Sequence, residues 1–109
     1  MNVGRRKPSE YVEDMILCCT KIERYVNGRS QDEFFADTML QDAILRNIEV
    51  LGEAAKQMLD VCPDAKTRFP GIPFDQMYVT RNRLIHGYTS IRPLAIWQYG
   101  KRPIAMHRS

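Results

Sequence analysis

Apolar residues recur at helical spacing along almost the whole chain, and no segment alternates between apolar and polar positions for long enough to form a strand. The first apolar stripe is followed by Asn27-Gly28, a typical C-terminal stop for a helix. The pattern therefore predicts an all-α protein that opens with a long amphipathic helix. The members of this first stripe are Val12, Met15, Ile16, Cys19, Ile22 and Val26.

The next segment contains two signals for the start of a helix. Ser30 and Glu33 have the spacing of a capping box, which predicts a short helical turn that holds Phe34 and Phe35. Asp37 is placed to cap the longest helix. The apolar stripe of that helix consists of Leu40, Ile44, Ile48, Leu51, Ala55, Met58 and Leu59.

The opposite edge of this longest helix carries charged residues, mostly three or four positions apart. This spacing is typical of a solvated face, and Asp42 before Arg46 is the favourable order for an ion pair. The charged residues of this edge are Asp42, Arg46, Glu49, Glu53 and Lys56.

Prolines and glycines divide the C-terminal half. Residues 63–73 leave room only for a short helical turn and a loop. Pro73 is predicted to be the first residue of a helix that runs from about 74 to 85 and ends near Gly87. A weak last helix over 93–99 is expected to stop at Gly100 and Pro103.

These elements predict a small antiparallel bundle of four to five helices with a short last helix. The bundle would occupy residues 9–99, between a basic arm (1–8) and a basic, disordered tail (100–109). No apolar run approaches the roughly 20 residues that span a bilayer, and the N-terminus lacks the apolar core of a signal peptide. We therefore expect a cytoplasmic protein without membrane partners. Cys18, Cys19 and Cys62 have neither disulfide nor zinc-ligand spacing and are expected to be reduced thiols.

The charge is distributed unevenly along the chain. Residues 1–65 carry 8 Lys/Arg and 12 Asp/Glu, a balance of −4, whereas residues 66–109 carry 8 Lys/Arg and only Asp75, a balance of +7. The excess of positive charge in the C-terminal part, taken alone, is most simply explained by a solvated basic surface. Because this basic part also contains the segment 81–88, it indicates binding to a polyanion or to an acidic partner protein.

The segment 81–88 combines groups that suit phosphate chemistry, in the order Arg-Asn-Arg-Leu-Ile-His-Gly-Tyr. Arg81 falls on the apolar stripe of its helix, where a charge must be paired or face a polar cavity. A functional role and a structural ion pair with Glu49 or Glu53 are both open. Asn47 is a similar polar intrusion in the long helix, for which a structural hydrogen bond is the simpler interpretation.

His86 is the only histidine apart from His107 in the tail. On an ideal helix Arg81 and His86 point about 140° apart. Either the helix unwinds before Gly87, or a second subunit completes the site. Asn82 shares a face with His86 and is placed to orient the imidazole, and Arg83 adds positive charge beside it.

This inventory suits cleavage of RNA without a metal or cofactor. A histidine takes the proton of a 2′-hydroxyl, and an arginine stabilises the charge that develops on the phosphoryl oxygens. No nucleophile or acidic partner lies near His86 in sequence, and a lone histidine beside arginines is a poor metal site. Because the reaction needs both a base and an acid, it favours a two-fold dimer that juxtaposes two copies of His86.

The segment resembles the R-x4-H-x-Y signature of HEPN domains through Arg81, His86 and Tyr88. More narrowly, the chain is similar to the HepT-like toxins of HEPN/MNT toxin–antitoxin pairs over residues 9–97. The similar stretches include Tyr11-Val-Glu-Asp-Met15, residues 41–56 with their Arg46-Asn47 and Gly52-Glu53-Ala54, and Ile72-Pro-Phe74.

This resemblance implies a homodimeric helical bundle with a metal-independent ribonuclease site in the cleft between subunits. Arg81 and His86 would be catalytic, with Asn82, Arg83 and Asn47 in support. It also implies restraint by an MNT-type nucleotidyltransferase that attaches AMP to Tyr88.

The C-terminus departs from the family, whose members continue into a full last helix, so a truncated, inactive copy is one alternative. A second is a non-catalytic module that binds nucleotides or presents substrate to a minimal nucleotidyltransferase. A third, a helical dimer without a site, leaves Arg81 unexplained.

Overall fold

A computed structural model describes residues 6–86 and 92–101, and within them the protein is all-α, as predicted, with six helices and no strand. Two of the six, α2 and α4, are single helical turns, which is why the predicted bundle counted only four to five helices. The helices are α1 (Pro8–Val26), α2 (Gln31–Phe35), α3 (Thr38–Val61), α4 (Ala65–Arg68), α5 (Phe74–Ile85) and α6 (Arg92–Lys101).

Helix α3 is the centre of the fold, because its contacts with α1 and α5 are the most extensive in the bundle. The interior forms two apolar clusters along α3. One includes Met15, Met58 and Met77, and the other includes Ile44 and Ile96. The α3 stripe predicted from the sequence supplies residues to both clusters.

The predicted end of α1 and the predicted caps of α2 and α3 are confirmed. The Ser30 hydroxyl accepts the backbone N–H of Glu33 at 3.1 Å, and the Glu33 carboxylate accepts the N–H of Ser30 at 2.9 Å. Asp37 Oδ1 accepts the N–H of Leu40 at 3.0 Å. Gly28 follows α1 with a φ of 76°, a left-handed conformation that glycine adopts without strain.

The prediction for Pro73 is wrong by one position. Pro73 is the N-cap of α5, with φ −84° and ψ 72°, and Phe74 is the first helical residue. Its ψ lies outside the helical range, so the chain enters the helix only after the proline. The span of α5 itself is as predicted.

The prediction that Gly100 stops the last helix is also wrong. Helix α6 runs through Gly100 to Lys101, two residues into the segment assigned to the tail. A Cβ at Gly100 would lie 2.7 Å from Cγ1 of Val26, so this glycine lets α6 pack closely on α1. Ile96 and Trp97 are buried, and α6 therefore contributes to the core despite its length. Residues 102–109 of the predicted tail lie outside the described residues.

The three cysteines are free, as expected; Cys18 and Cys62 are buried and Cys19 is half-buried. Burial raises the pKa of the Cys19 thiol to about 11. No helix in the described part of the chain is both long and apolar enough to cross a membrane.

Candidate functional site

Arg81 lies on the inward face of α5, as its position on the apolar stripe predicts, and its side chain is only 27% exposed. Its Nη2 is 3.5 Å from Glu53 Oε2 on α3, and its Nη1 donates a hydrogen bond of 2.8 Å to Asn82 Oδ1. The ion pair with Glu53 that the sequence left open is therefore formed. The contact with Glu53 links the guanidinium to α3, and the contact with Asn82 holds it from within α5.

The third nitrogen of Arg81, Nε, is buried and has no hydrogen-bond partner within the described residues. The guanidinium also lies 6.0 Å from the centre of the Tyr78 ring, and Lys56 approaches the same ring at 5.7 Å. In the sequence, Tyr78 is conspicuous only as a stripe residue.

A pocket of about 290 Å³ opens beside Arg81, between α1, α3 and α5. Arg46, Glu49 and Glu53 of the charged edge of α3 line it, and their side chains remain 73%, 36% and 45% exposed, as predicted for a solvated face. Arg46 pairs with Glu49 at 3.9 Å rather than with Asp42. The pocket residues that carry charge are Arg6, Asp14, Arg46, Glu49, Glu53 and Arg81.

His86 is exposed and caps the C-terminus of α5. Its backbone N–H still donates to the carbonyl of Asn82, at 3.1 Å, so the helical path continues up to His86. The helix does not unwind ahead of the imidazole, and Arg81 and His86 keep the separation of about 140° expected for helical neighbours five residues apart. One chain therefore does not bring these two side chains together.

The predicted supporting residues are arranged differently from expectation. The carboxamide oxygen of Asn82 faces Arg81, and no bond from its side chain to the imidazole is found in the described part. Asn47 is half-buried and donates to the carbonyl of Ala43 at 2.9 Å, within its own helix. Arg83 is exposed on α5. Tyr88, the predicted site of modification, lies outside the described residues.

Gly52 is the site residue that periodicity alone does not reveal. It is buried on α3, and a Cβ placed there would lie 2.5 Å from the Cβ of Arg81. In the sequence it stands out only as part of the stretch similar to HepT-like proteins. Within residues 6–86 and 92–101, no group of three or more His, Cys, Asp or Glu side chains is arranged to hold a metal ion.

Comparison with known protein families gives this geometry a context. The family described as "Ribonuclease HepT-like" matches residues 15–106, which include Arg81, His86 and Tyr88. The chain belongs to the HepT-like ribonuclease family. The resemblance inferred from the motif is thus confirmed over most of the chain.

Individual relatives agree with this family. The chain is 30% identical over 100 residues to "Probable ribonuclease HepT" of Thermococcus cleftensis, covering 92% of this chain and 88% of the relative. It is 30% identical to "Putative RNase MJ1216" of Methanocaldococcus jannaschii over 87% of this chain and 70% of the relative. It is 27% identical to "Putative RNase TTE0752" of Caldanaerobacter subterraneus over 85% of this chain and 80% of the relative.

No solved structure gives a significant match to the chain. Membership of the HepT-like family and the names of these relatives support a ribonuclease-type function. Arg81, on the apolar stripe of α5, lies within the residues that the family matches.

Proposed function

We propose that this protein is a metal-independent endoribonuclease that acts in the cytoplasm, with Arg81 as the phosphate-binding group and His86 as the acid–base group. One observation carries the proposal: a half-buried guanidinium is held at two of its nitrogens on the inner face of α5, five residues before an exposed imidazole. Arginine binds phosphate through a planar fork of donors, and histidine exchanges protons near neutral pH.

The reaction would proceed by attack of an RNA 2′-hydroxyl on the adjacent phosphorus. His86 accepts the proton of the 2′-hydroxyl as the new O2′–P bond forms, and Arg81 stabilises the negative charge on the phosphoryl oxygens. The P–O5′ bond breaks, and an imidazolium donates a proton to the leaving O5′. The products are a 2′,3′-cyclic phosphate and a 5′-hydroxyl end.

The second proton donor would be His86 of the partner subunit in a homodimer. The separation of Arg81 and His86 on α5 supports this, because a single chain cannot direct both side chains at one phosphate. Val79 is 51% exposed and lies seven residues before His86, hence about 20° from it around the helix. This face of α5, carrying Val79, Arg83 and His86, combines an exposed apolar residue with the proposed catalytic group and suits a two-fold contact.

The catalytic assignment is tested by separating RNA binding from cleavage. We expect Arg81→Ala and His86→Ala each to lower the rate of cleavage by at least about 100-fold, with His86→Ala retaining binding to an uncleavable 2′-O-methyl RNA. Arg24→Ala, at an exposed arginine on α1, is the matched control and should cleave normally. Binding without cleavage by the unaltered protein would instead support the non-catalytic partner of a nucleotidyltransferase.

The dimer is tested by introducing a charge on the exposed face of α5. Val79→Glu would place two like charges across a two-fold contact and should convert the protein to monomers with reduced cleavage. Leu17→Glu on α1, where the leucine is 52% exposed, is the control. Light scattering after size-exclusion chromatography reports the mass, and an undiminished dimer of Val79→Glu would exclude this face as the interface.

We further propose that the protein is the toxin of a HEPN/MNT pair and is neutralised by AMP transfer from ATP to the Tyr88 hydroxyl, with release of pyrophosphate. A bulky anionic group in the same motif would compete with RNA phosphate for Arg81. Coexpression with an MNT-type nucleotidyltransferase should add the mass of AMP to wild type and not to Tyr88→Phe. An unmodified, growth-inhibiting wild type under these conditions would contradict this proposal.

A further inference from the structure

Gly52 lies where α3 and α5 approach so closely that no other residue fits without movement. A Cβ at this position would be 2.5 Å from Cβ and 2.9 Å from Cγ of Arg81, and 3.1 Å from the carbonyl oxygen of Met77. Real Cβ atoms essentially never approach another heavy atom within 3.0 Å. The stem of Arg81 therefore lies directly against the backbone of Gly52.

The clash that a side chain at position 52 would cause cannot be relieved by a change in the rotamer of Arg81. The Cβ of Arg81 is fixed by the backbone of α5, and ordinary contact begins at 3.4 Å. A methyl group at position 52 would therefore force α5 away from α3 by about 1 Å. The distance from Arg81 Nη2 to Glu53 Oε2 is already 3.5 Å, so such a shift would separate the ion pair.

Gly52 and Glu53 act on the two ends of the same side chain. The backbone of Gly52 lies against the first two side-chain carbons of Arg81, and the neighbouring Glu53 contacts the guanidinium at the other end of the side chain. Between these two points Nε is buried, and it has no hydrogen-bond partner among the described residues. The contacts with Gly52 and Glu53 therefore fix the course of the side chain.

We propose that Gly52 is a positioning residue for Arg81: its missing side chain sets the depth at which the guanidinium is presented to RNA phosphate. This inference rests on the proposed ribonuclease function. A displacement of about 1 Å at a group that positions substrate can reduce the rate about 100-fold, so a methyl group distant from the scissile bond should have a large effect.

The test compares Gly52→Ala with Gly100→Ala. Gly100 is the second buried helical glycine whose Cβ would clash with a neighbouring helix, but its neighbour is Val26 and not a proposed site residue. We expect Gly52→Ala to lower kcat about 100-fold and Gly100→Ala to leave kcat of the folded protein unchanged. A change in KM alone, or an equal fall in kcat in both variants, would indicate a merely structural role and overturn the proposal.

Two readouts do not depend on cleavage. The Nε–H resonance of Arg81, assigned by its absence in Arg81→Lys, should shift in Gly52→Ala and stay in place in Gly100→Ala. The logarithmic salt dependence of binding to 2′-O-methyl RNA should become shallower in Gly52→Ala, by about 0.7 for each phosphate that the protein no longer neutralises. If wild type cleaves no RNA, the proposed function fails while the resonance still tests the positioning. An unshifted Arg81 resonance overturns the inference, whatever the activity.

A double-mutant cycle of stability tests the same contact if Gly52→Ala folds poorly. Arg81→Gly removes both atoms that a Cβ at position 52 would meet most closely. The loss of thermal stability caused by Gly52→Ala should therefore be smaller in the Arg81→Gly background than in wild type. Equal destabilisation in the two backgrounds would show that Gly52 does not act through Arg81.

Discussion

Two buried glycines, Gly52 on α3 and Gly100 on α6, each allow another helix to approach more closely than any side chain would permit. What they contact differs. Gly100 meets a methyl group of Val26 in a wholly apolar contact, whereas Gly52 meets the stem of Arg81, the one arginine on an inward stripe of α5. The same packing device thus completes the core at one end of the bundle and sets the position of a charged group at the other.

The two contacts should respond differently to substitution. Around Gly100, residues such as Ile96 are buried and apolar, so change there should cost stability and leave chemistry intact. Around Gly52 lie the stem of Arg81 and its ion pair at 3.5 Å, so change there should cost chemistry as well as stability. Three substitutions and one change of pH test this difference between the two regions.

The greatest change is expected at the exposed end of α5. Replacing His86 with alanine removes the proposed general acid–base group and should lower the cleavage rate by about 10²–10⁴-fold. Because the imidazole is exposed, the midpoint of urea unfolding should remain within error of wild type. Single-turnover cleavage and urea titration measured on the same preparation check both statements. Cleavage at the wild-type rate would remove His86 from the mechanism.

The second largest effect, a loss of stability, is expected in the apolar region around Gly100. Ile96 is 2% exposed, and Ile96→Ala should reduce the free energy of unfolding by about 2–5 kcal/mol through reduced burial and a cavity. The kcat of the fraction that remains folded should not change. Denaturant unfolding and active-site titration separate the two quantities. A loss of kcat as large as that of His86→Ala would mean that α6 belongs to the site.

The third effect is expected from a substitution at Arg81, which should reduce activity without reducing stability. Arg81→Met keeps the stem on Gly52 and removes Nε, which has no partner among the described residues, and Glu53 is exposed enough to be solvated alone. We expect the cleavage rate to fall by about 10²–10³-fold, while the free energy of unfolding stays the same or rises by up to about 1 kcal/mol. Destabilisation by several kcal/mol would instead identify the Arg81–Glu53 pair as structural, the alternative that the sequence left open.

The weakest effect is a pH dependence at the contact between α1 and α6. Burial raises the pKa of Cys19 from 9.0 to about 11, and burial also raises the pKa of Tyr99 above its ordinary value. The unfolded chain therefore releases these protons at lower pH than the folded one. Stability should be fully present below pH 9 and decline as pH rises from about 9 to 11.

Cys19→Ala should flatten this alkaline decline, measured as the thermal midpoint against pH under reducing conditions. Glu13→Ala, at an exposed carboxylate on the same helix, serves as a control. An alkaline decline equally steep in Cys19→Ala and in wild type would show that the thiol does not contribute to it.

Most of the fold can be predicted from the sequence because the relevant signals are local. The capping box at Ser30, the cap at Asp37 and the stripe of α3 depend on residues within one or two turns of each other. The prediction for Gly100 is wrong because its role depends on a contact that is distant in sequence. A glycine after an apolar helix resembles a stop signal, and only contact with Val26, distant in sequence, shows that it is a packing position.

The candidate site is predictable in its chemistry and not in its contacts. Arg81 is conspicuous because a charge on an apolar stripe needs a partner, and Glu53 is one of the two partners that the sequence offers. The contact between Gly52 and Arg81 and the hydrogen bond from Arg81 to Asn82 depend on how α3 and α5 pack. The periodicity of the sequence does not predict that packing. The spacing of Arg81 and His86 does indicate correctly that an unbroken α5 does not bring them together.

The proposed metal-independent cleavage by Arg81 and His86 is tested most directly by the chemistry of the RNA ends that the protein leaves when EDTA is present. Purified protein would be incubated with total RNA, and the new 3′ ends would be analysed before and after removal of cyclic phosphate. We predict 2′,3′-cyclic phosphate ends from wild type and none from Arg81→Ala or His86→Ala. Cleavage that requires a divalent metal, or that leaves 3′-hydroxyl ends, would contradict this mechanism.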